Sequence, residues 1–547
     1  MTKRYRSVLI VCFIITICLT KTGVAQEIPE RDLIDDYLQV LKINGAISPD
    51  SIRHYSLNYN QLMDTLSVHP WKDRNTSYFG TNSYKHLSLA LHDLEMKNYW
   101  QSLEPGGVND GAIWQGRGFT NSLAGGFFVK YGIISASIRP TVIYNQNRSF
   151  ELSQFDPPVS RSSYASPYGN IDQPQRFGDN PFWQLYPGQS YLRVDYNGWA
   201  AGLSTQNMWW EPARQNPIIL SNNAPGFPHY FISITEPKDI YIGDIEAKLF
   251  WGRLWESDYF DANSENNKRY ITGGRIAFSP KPIPGLKVGI NRVFYETIPP
   301  EGIPAVNLLK IFEAFTKIKL TENTNPGGND ESDQLLSIFT QWSFPKSGLE
   351  VYGEWARNDH SWNWRDFITE PEHTRAYTLG LQKVFSLRNQ QLLSLNVEAT
   401  QLEASNTTEF RGQSSYYYHH KNIQGYTNRG QILGAAIGPG SNSLYMGGSL
   451  YFKNGRVELW GQRVALNNDF LYRNHEEIGT LNNRIHKYWL HNIEMRFGSG
   501  VTYFYKKFEA GLDMTLRKEL NDDYLYKNDQ THLGINISIR YRLGSLR

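Results

Sequence analysis

The 547-residue chain has only two cysteines, Cys12 and Cys18, both close to its N-terminus. Past them there is no thiol, which excludes a disulfide framework and thiolate chemistry in the rest of the chain. Also absent is any run of 18 or more apolar residues, so a transmembrane helix is excluded. Charge of one sign is scarce. The formal net charge is +2, and residues 1–25 hold four positive charges and no acid, which leaves the remainder at −2. Near neutrality without like-charge runs argues against nucleic acid as a partner. Neither a G-x-S-x-G elbow nor a P-loop occurs.

Aromatic residues, by contrast, make up 14% of the chain, although its mean hydropathy is −0.50. A chain that is polar on average yet rich in Tyr and Trp suits a β-barrel facing lipid outside and water inside. The N-terminus predicts a cleaved Sec signal peptide over residues 1–25. Lys3, Arg4 and Arg6 form its basic region, Val8 to Leu19 its apolar run, and Gly23-Val24-Ala25 its cleavage site. Ile17 is too bulky for a lipobox before Cys18. Residues 26–82 then read as a short N-terminal periplasmic helical segment. Leu33, Ile34, Tyr37, Leu38 and Leu41 recur at helical spacing, and Asn44-Gly45 closes the pattern as a C-cap.

From residue 83 to 547 the period becomes two. In the last segment Leu533, Ile535, Ile537, Ile539, Tyr541 and Leu543 alternate with Gly534, Asn536, Ser538, Arg540 and Arg542. Asn197-Gly198 supplies the two positive-φ residues of a type I′ turn. That turn pairs Tyr196 with Trp199, Val194 with Ala201 and Leu192 with Leu203, all on one face. A second turn at Asn454-Gly455 pairs Phe452 with Val457 and Leu450 with Leu459.

Extended along the chain, this pattern predicts strands at 83–96, 118–130, 133–145, 190–196, 199–206 and 229–235. Six more fall at 240–255, 270–279, 286–296, 335–344, 349–357 and 374–385. The last six fall at 392–402, 443–453, 456–466, 485–497, 508–518 and 532–543. The fold class is therefore all-β, a transmembrane antiparallel β-barrel of about 18 strands in the bacterial outer membrane. Short turns alternate with long connections, as periplasmic turns and extracellular loops should. Residues 308–318 predict a helix inside one long loop. Outer-membrane lipid is the implied solvent, and a monomer is expected.

Unusual segments gather on the long-loop side. They include Asn109-Asp110-Gly111-Ala112-Ile113-Trp114-Gln115-Gly116-Arg117-Gly118, then Trp209-Trp210-Glu211-Pro212, then Leu220-Ser221-Asn222-Asn223-Ala224-Pro225-Gly226-Phe227-Pro228-His229. Tyr416-Tyr417-Tyr418-His419-His420 and Gly425-Tyr426-Thr427-Asn428-Arg429-Gly430-Gln431 follow. On these segments the chain, from about residue 80 onward, resembles the Wzi family of capsule assembly proteins. Where that family often has a Gly-Pro-Gly-like turn, this chain has Glu211-Pro212-Ala213-Arg214. The resemblance implies an eighteen-stranded outer-membrane barrel that acts as a lectin for capsular polysaccharide.

Sugars are held by flat aromatic faces and by planar amide, carboxylate and guanidinium groups. Trp209, Trp210, Trp362, Trp364, Tyr416, Tyr417, Asn222, Asn223 and Arg429 supply that mixture as candidate polysaccharide-binding residues, with Tyr418 beside them. The same residues could instead plug the lumen and hold loops. Gly226 and Pro228 read as backbone devices. Glu354, Asp359, Glu370 and Glu372 could hold a glycosidase pair, and His419-His420 with His360 or His373 could bind a metal. Carboxylates lining a wet barrel lumen are common without chemistry, and adjacent histidines point to opposite faces of a strand. No catalytic residue, metal or cofactor is therefore expected. The expected function is binding of capsular or extracellular polysaccharide at the cell surface; a porin-like channel for small solutes is the alternative.

Overall fold

The computed structural model describes residues 33–47, 71, 82–84, 87–158, 162–210, 212–303, 305–312, 332–358, 364–483, 485–486 and 489–543. The signal peptide expected at residues 1–25 therefore lies outside the described residues.

Eighteen antiparallel strands close into a barrel. The first are β1 (Leu87–Gln101), β2 (Gly118–Tyr131), β3 (Ile134–Ile138 with Thr141–Asn145) and β4 (Phe182–Tyr186 with Tyr191–Tyr196). Next come β5 (Trp199–Ser204), β6 (His229–Ile234), β7 (Gly243–Trp255), β8 (Lys268–Pro280) and β9 (Leu286–Thr297). They are followed by β10 (Asp333–Phe344), β11 (Leu349–Asn358), β12 (Arg375–Ser386), β13 (Leu392–Gln401) and β14 (Asn442–Phe452). Last are β15 (Gly455–Ala465), β16 (Ile493–Tyr505), β17 (Phe508–Leu520) and β18 (Gln530–Tyr541). Pairing of β18 with β1, Leu94 opposite Tyr541, joins the ends and removes every free edge. Only a closed sheet satisfies its backbone within lipid.

Period-two patterning sorts the side chains as expected. On β18, Ile537 and Ile539 are exposed outward while His532 and Arg540 are buried inward. The first hairpin has the expected register, with Tyr196 opposite Trp199 and Leu192 opposite Leu203. Asn197 and Gly198 have φ of +50° and +76°, as a type I′ turn requires. Exposed Tyr131, Tyr196, Trp199, Trp342, Tyr505 and Phe508 ring the short-turn rim, where an interfacial aromatic girdle belongs.

Helix α1 (Leu33–Ile43) forms where the helical period placed it. Gly45, at φ +76°, ends it in a Schellman motif. Ala46 N donates to Leu41 O at 3.0 Å and Gly45 N to Lys42 O at 3.0 Å. Rather than hanging free in the periplasm, α1 seats its apolar stripe against the barrel's inner wall at the short-turn end. Tyr37, Leu38 and Leu41 pack there with Val384, Leu392, Tyr451 and Phe504.

The structure departs from the sequence expectation in several places. β3 breaks at Arg139-Pro140, because proline has no N–H for the ladder. The outer half of β4, Phe182–Tyr186, falls within a stretch expected to be loop. β1 lies at Leu87–Gln101 rather than 83–96. β16 is displaced further, to Ile493–Tyr505 instead of 485–497, and turns at Lys506-Lys507. Ahead of it, Leu490 is buried in a loop cluster with Phe155, Leu471, Ile478 and Tyr524. The second hairpin pairs Phe452 with Gly455 and Leu450 with Val457, two residues from the expected register. There Phe504 N donates to Asn454 O at 2.7 Å and the Trp71 indole donates to Phe452 O at 3.0 Å. Of the helix expected at 308–318, residues Ala305–Phe312 form a 3-10 helix and 313–318 lie outside the described residues.

Candidate functional site

The connection from β5 to β6 folds down into the lumen. Glu398, buried on β13, receives the backbone N–H groups of Arg214, Gln215 and Asn216 at 2.6, 3.0 and 2.8 Å. Glu354 on β11 receives Ile218 N at 3.1 Å. These inward carboxylates satisfy backbone donors that would otherwise be buried unpaired. Pro212, Ala213 and Arg214 supply the lower end of this insertion. Ala213 O accepts the Trp209 indole N–H at 3.0 Å, and Arg214 reaches Glu350 at 2.7 Å. Lys42 of α1 lies 3.4 Å from the same carboxylate, so the external loop and the internal helix meet on one residue.

A second external connection, 402–441, packs over the first. Tyr417 accepts Ala435 N at 2.8 Å and donates to Ile218 O at 2.7 Å. Together Trp210, Ile218, Ile219, Tyr416, Tyr417 and Tyr426 form one apolar core with inward strand residues such as Phe250 and Leu335. Burial pushes the Tyr417 hydroxyl well above its usual range. Among the described residues, the lumen centre is filled with protein.

The three most distinctive loop segments meet above this plug. Gly111 N donates to Asn222 O at 2.5 Å, Asn223 donates to Ile432 O at 3.1 Å, and Gln431 returns a bond to Asn223 O at 2.9 Å. Thr427–Asn428 and Gln431–Ile432 form a small hairpin around Arg429-Gly430. Gly226 has no room for a side chain, since a Cβ there would collide with Thr205 O. Two neighbouring cavities open where the segments converge. One, of 460 Å³, is lined by Trp114, Tyr168, Tyr418, Gln173, Asn467 and Asn492 among others. The other, of 450 Å³, is lined by Trp114, Gln115, Asn223, Gln431, Trp460 and Arg496 among others. Trp114 faces both cavities and is braced edge-on by Phe177 at 4.8 Å.

The sequence candidates separate into groups. Trp209, Trp210, Tyr416 and Tyr417, at 4%, 0%, 3% and 0% exposure, are packed within the plug and line neither of these two cavities. Of the three consecutive tyrosines, Tyr418 is the one on a cavity wall. Asn223 lines the second cavity, and Asn222 lines a smaller third one of 200 Å³ beside it. Arg429 is exposed and stacks over Trp255 at 5.1 Å and Tyr186 at 5.8 Å. Trp364 begins a short helix, Trp364–Thr369, whereas Trp362, Asp359 and His360 lie outside the described residues. His419 Nδ1 accepts Asn422 N at 3.1 Å and so caps a turn. Sequence reasoning included Tyr418 but missed Trp114 and Tyr168 as wall residues. Trp114 sat inside a segment already singled out, but nothing local showed which way it pointed.

Where the two cavities adjoin, the inner wall of β16–β18 carries a dense row of charge. Strand register sets Glu494 directly opposite Glu519, and Arg496 directly opposite Arg517. Both arginines turn to Glu494; Arg517 is 3.2 Å from it and Arg496 closer still. Glu104, in the loop after β1, approaches Arg517 at 3.4 Å. Burial pushes the Glu104 carboxyl up to about 7 against the pull of Arg517.

The solved structure of Wzi, an Escherichia coli outer-membrane protein involved in group 1 capsule assembly and described as a carbohydrate-binding β-barrel, is similar throughout. It aligns at 13% identity and a TM-score of 0.62, over 95% of this chain and all of that one. Acinetobacter baumannii OccAB4 aligns at 10% identity and a TM-score of 0.38, over 84% of this chain and 99% of that one. Pseudomonas aeruginosa OprD aligns at 10% and 0.37, over 84% and 96%. No curated protein sequence matches the chain. The family model for capsule assembly protein Wzi matches residues 105–505, which include all three converging segments. With most of its length so matched on an eighteen-stranded outer-membrane barrel, the chain belongs to the Wzi family of capsule assembly proteins.

Proposed function

We propose that this barrel binds capsular or other extracellular polysaccharide in its external cavities and organises the polymer on the cell surface, without catalysing a reaction on it. The observation that carries the reading is the paired cavity at the convergence of the three family segments. At 460 and 450 Å³ its two parts are of ordinary ligand-site size, roughly 300–1,000 Å³. Their walls mix aromatic faces (Trp114, Tyr168, Tyr418) with planar amides (Gln173, Asn223, Asn467), the chemistry that pairs with a sugar's apolar face and its hydroxyls. The Escherichia coli relative, described as a carbohydrate-binding barrel, supports the same reading. Asn222 and Asn223 on cavity walls, and Arg429 beside the wall residues Gly430 and Gln431, remain candidate contacts, and the buried rings of Trp209, Trp210, Tyr416 and Tyr417 act by holding the plug in shape. An open channel for solutes is disfavoured by the packed lumen, and the barrel is taken to work as a monomer.

The test is to change Trp114 and Tyr418 singly to Ala and measure cell-bound against released polysaccharide. Losing one aromatic contact should cost about 0.5–1.5 kcal/mol by analogy with aromatic pairs, roughly a twofold to tenfold loss at one site. A polymer engaging many barrels multiplies that loss through avidity. Retention equal to the parent in both variants, at equal outer-membrane abundance, would remove the cavity from the account.

A further inference from the structure

Glu519 and His532 face the lumen on adjacent strands, diagonal to one another because Arg517 pairs with His532 and Glu519 with Gln530. The loop after β1 adds Glu104. His532 Nε2 lies 3.6 Å from Glu519 Oε2 and 4.0 Å from Glu104 Oε2, and one ligand atom of each residue lies within 4.8 Å of the others.

These are not ordinary paired charges. His532 is 3% exposed, and neither of its ring nitrogens has a hydrogen-bond partner among the described residues. Glu519 is 4% exposed, and its Oε2 likewise has none. The nearby arginines do not supply the lack, since both are engaged by Glu494. Asp522 and Asp523 line the same cavity as Glu104, Glu494 and Glu519, so acids there outnumber the two guanidinium groups. A carboxylate set directly opposite another across a strand pair is destabilising unless something offsets the repulsion. Burying polar atoms without partners adds to that penalty.

We infer that Glu104, Glu519 and His532 form a binding site for a divalent first-row transition cation at the junction of the two external cavities. One imidazole nitrogen and two carboxylate oxygens are a ligand set that Zn²⁺ accepts. Tetrahedral ligands about 2.0–2.2 Å from such an ion stand about 3.4 Å apart, close to the 3.6 Å between His532 and Glu519, and a small shift of the Glu104 side chain from 4.0 Å completes the set. Two strand residues hold the donors rigidly and the loop residue closes the third side. Glu104 and Glu519 line the first cavity and His532 the second, so a three-residue site here would leave its fourth position for an exchangeable ligand. The ion would also neutralise the Glu494–Glu519 row, so its binding couples the loop after β1 to the barrel wall.

The test uses the full barrel, purified in detergent without a histidine tag, stripped with chelator, loaded with Zn²⁺ and desalted. Elemental analysis should find about one zinc per chain. His532→Gln and Glu519→Gln should each lose most of it while remaining folded by heat-modifiable mobility. Glu104→Gln, outside the strands, keeps the test in hand should a strand variant fail to insert. His419→Tyr and His420→Tyr should leave the bound zinc unchanged, which separates this site from the adjacent histidine pair. Absence of retained zinc in the parent, or full retention in a folded Glu104→Gln barrel together with either folded strand variant, overturns the assignment.

Discussion

Replacing Glu398 with Ala should open the lumen while leaving the barrel standing. The carboxylate is wholly buried and receives three successive backbone N–H groups of the inserted loop, at 2.6 to 3.0 Å. The Tyr352 hydroxyl adds a fourth bond at 2.9 Å. An alanine would strand the three backbone donors, at about 1–3 kcal/mol each when buried donors lose their acceptor. Water entering the vacated space recovers part of this, so about 3 kcal/mol is a conservative figure, a shift of roughly two decades in docking of the loop. The β-ladder is untouched, because only a lumen-facing side chain is removed. Planar-bilayer recordings should therefore find the parent closed and Glu398→Ala conducting, with unchanged heat-modifiable mobility for both. Glu398→Gln, which keeps one acceptor oxygen but turns an amide N–H₂ toward donors, should be intermediate. A folded Glu398→Ala barrel that conducts no more than the parent would refute the claim that this carboxylate holds the plug.

Cysteine in place of Asn197 or Asn454 should resist a membrane-impermeant thiol reagent on intact cells, whereas cysteine in place of Ser162 should react; labelling of both turns from outside would invert the topology. Deleting Gln530–Tyr541 should abolish membrane assembly, because β1 and β17 would each present an unpaired edge to lipid at several kcal/mol per unsatisfied group; normal heat-modifiable protein from that truncation would count against closure through β18.

What the sequence by itself determined is local. The period of two assigned most strand residues to lipid or lumen, and the Asn197-Gly198 turn set the 192–203 register residue by residue. Helical spacing with Asn44-Gly45 placed α1 and its cap. These follow from backbone sterics and nearest-neighbour chemistry, which a short window contains. The tertiary structure decided what fills the barrel. Alternation marks a side chain as inward but does not say whether it meets water or a folded loop, so Trp210 and Tyr417 could be read as open platforms and are plug core instead. A two-residue slip at Lys453-Asn454 keeps every side chain on its own face, so patterning could not detect it. There the contacts from Trp71 and Phe504 mark the register the chain adopts. The meeting of Glu104, Glu519 and His532 likewise depends on strand register and on a loop more than 400 residues away in sequence. No local pattern encodes that proximity, because it exists only once β18 has closed onto β1.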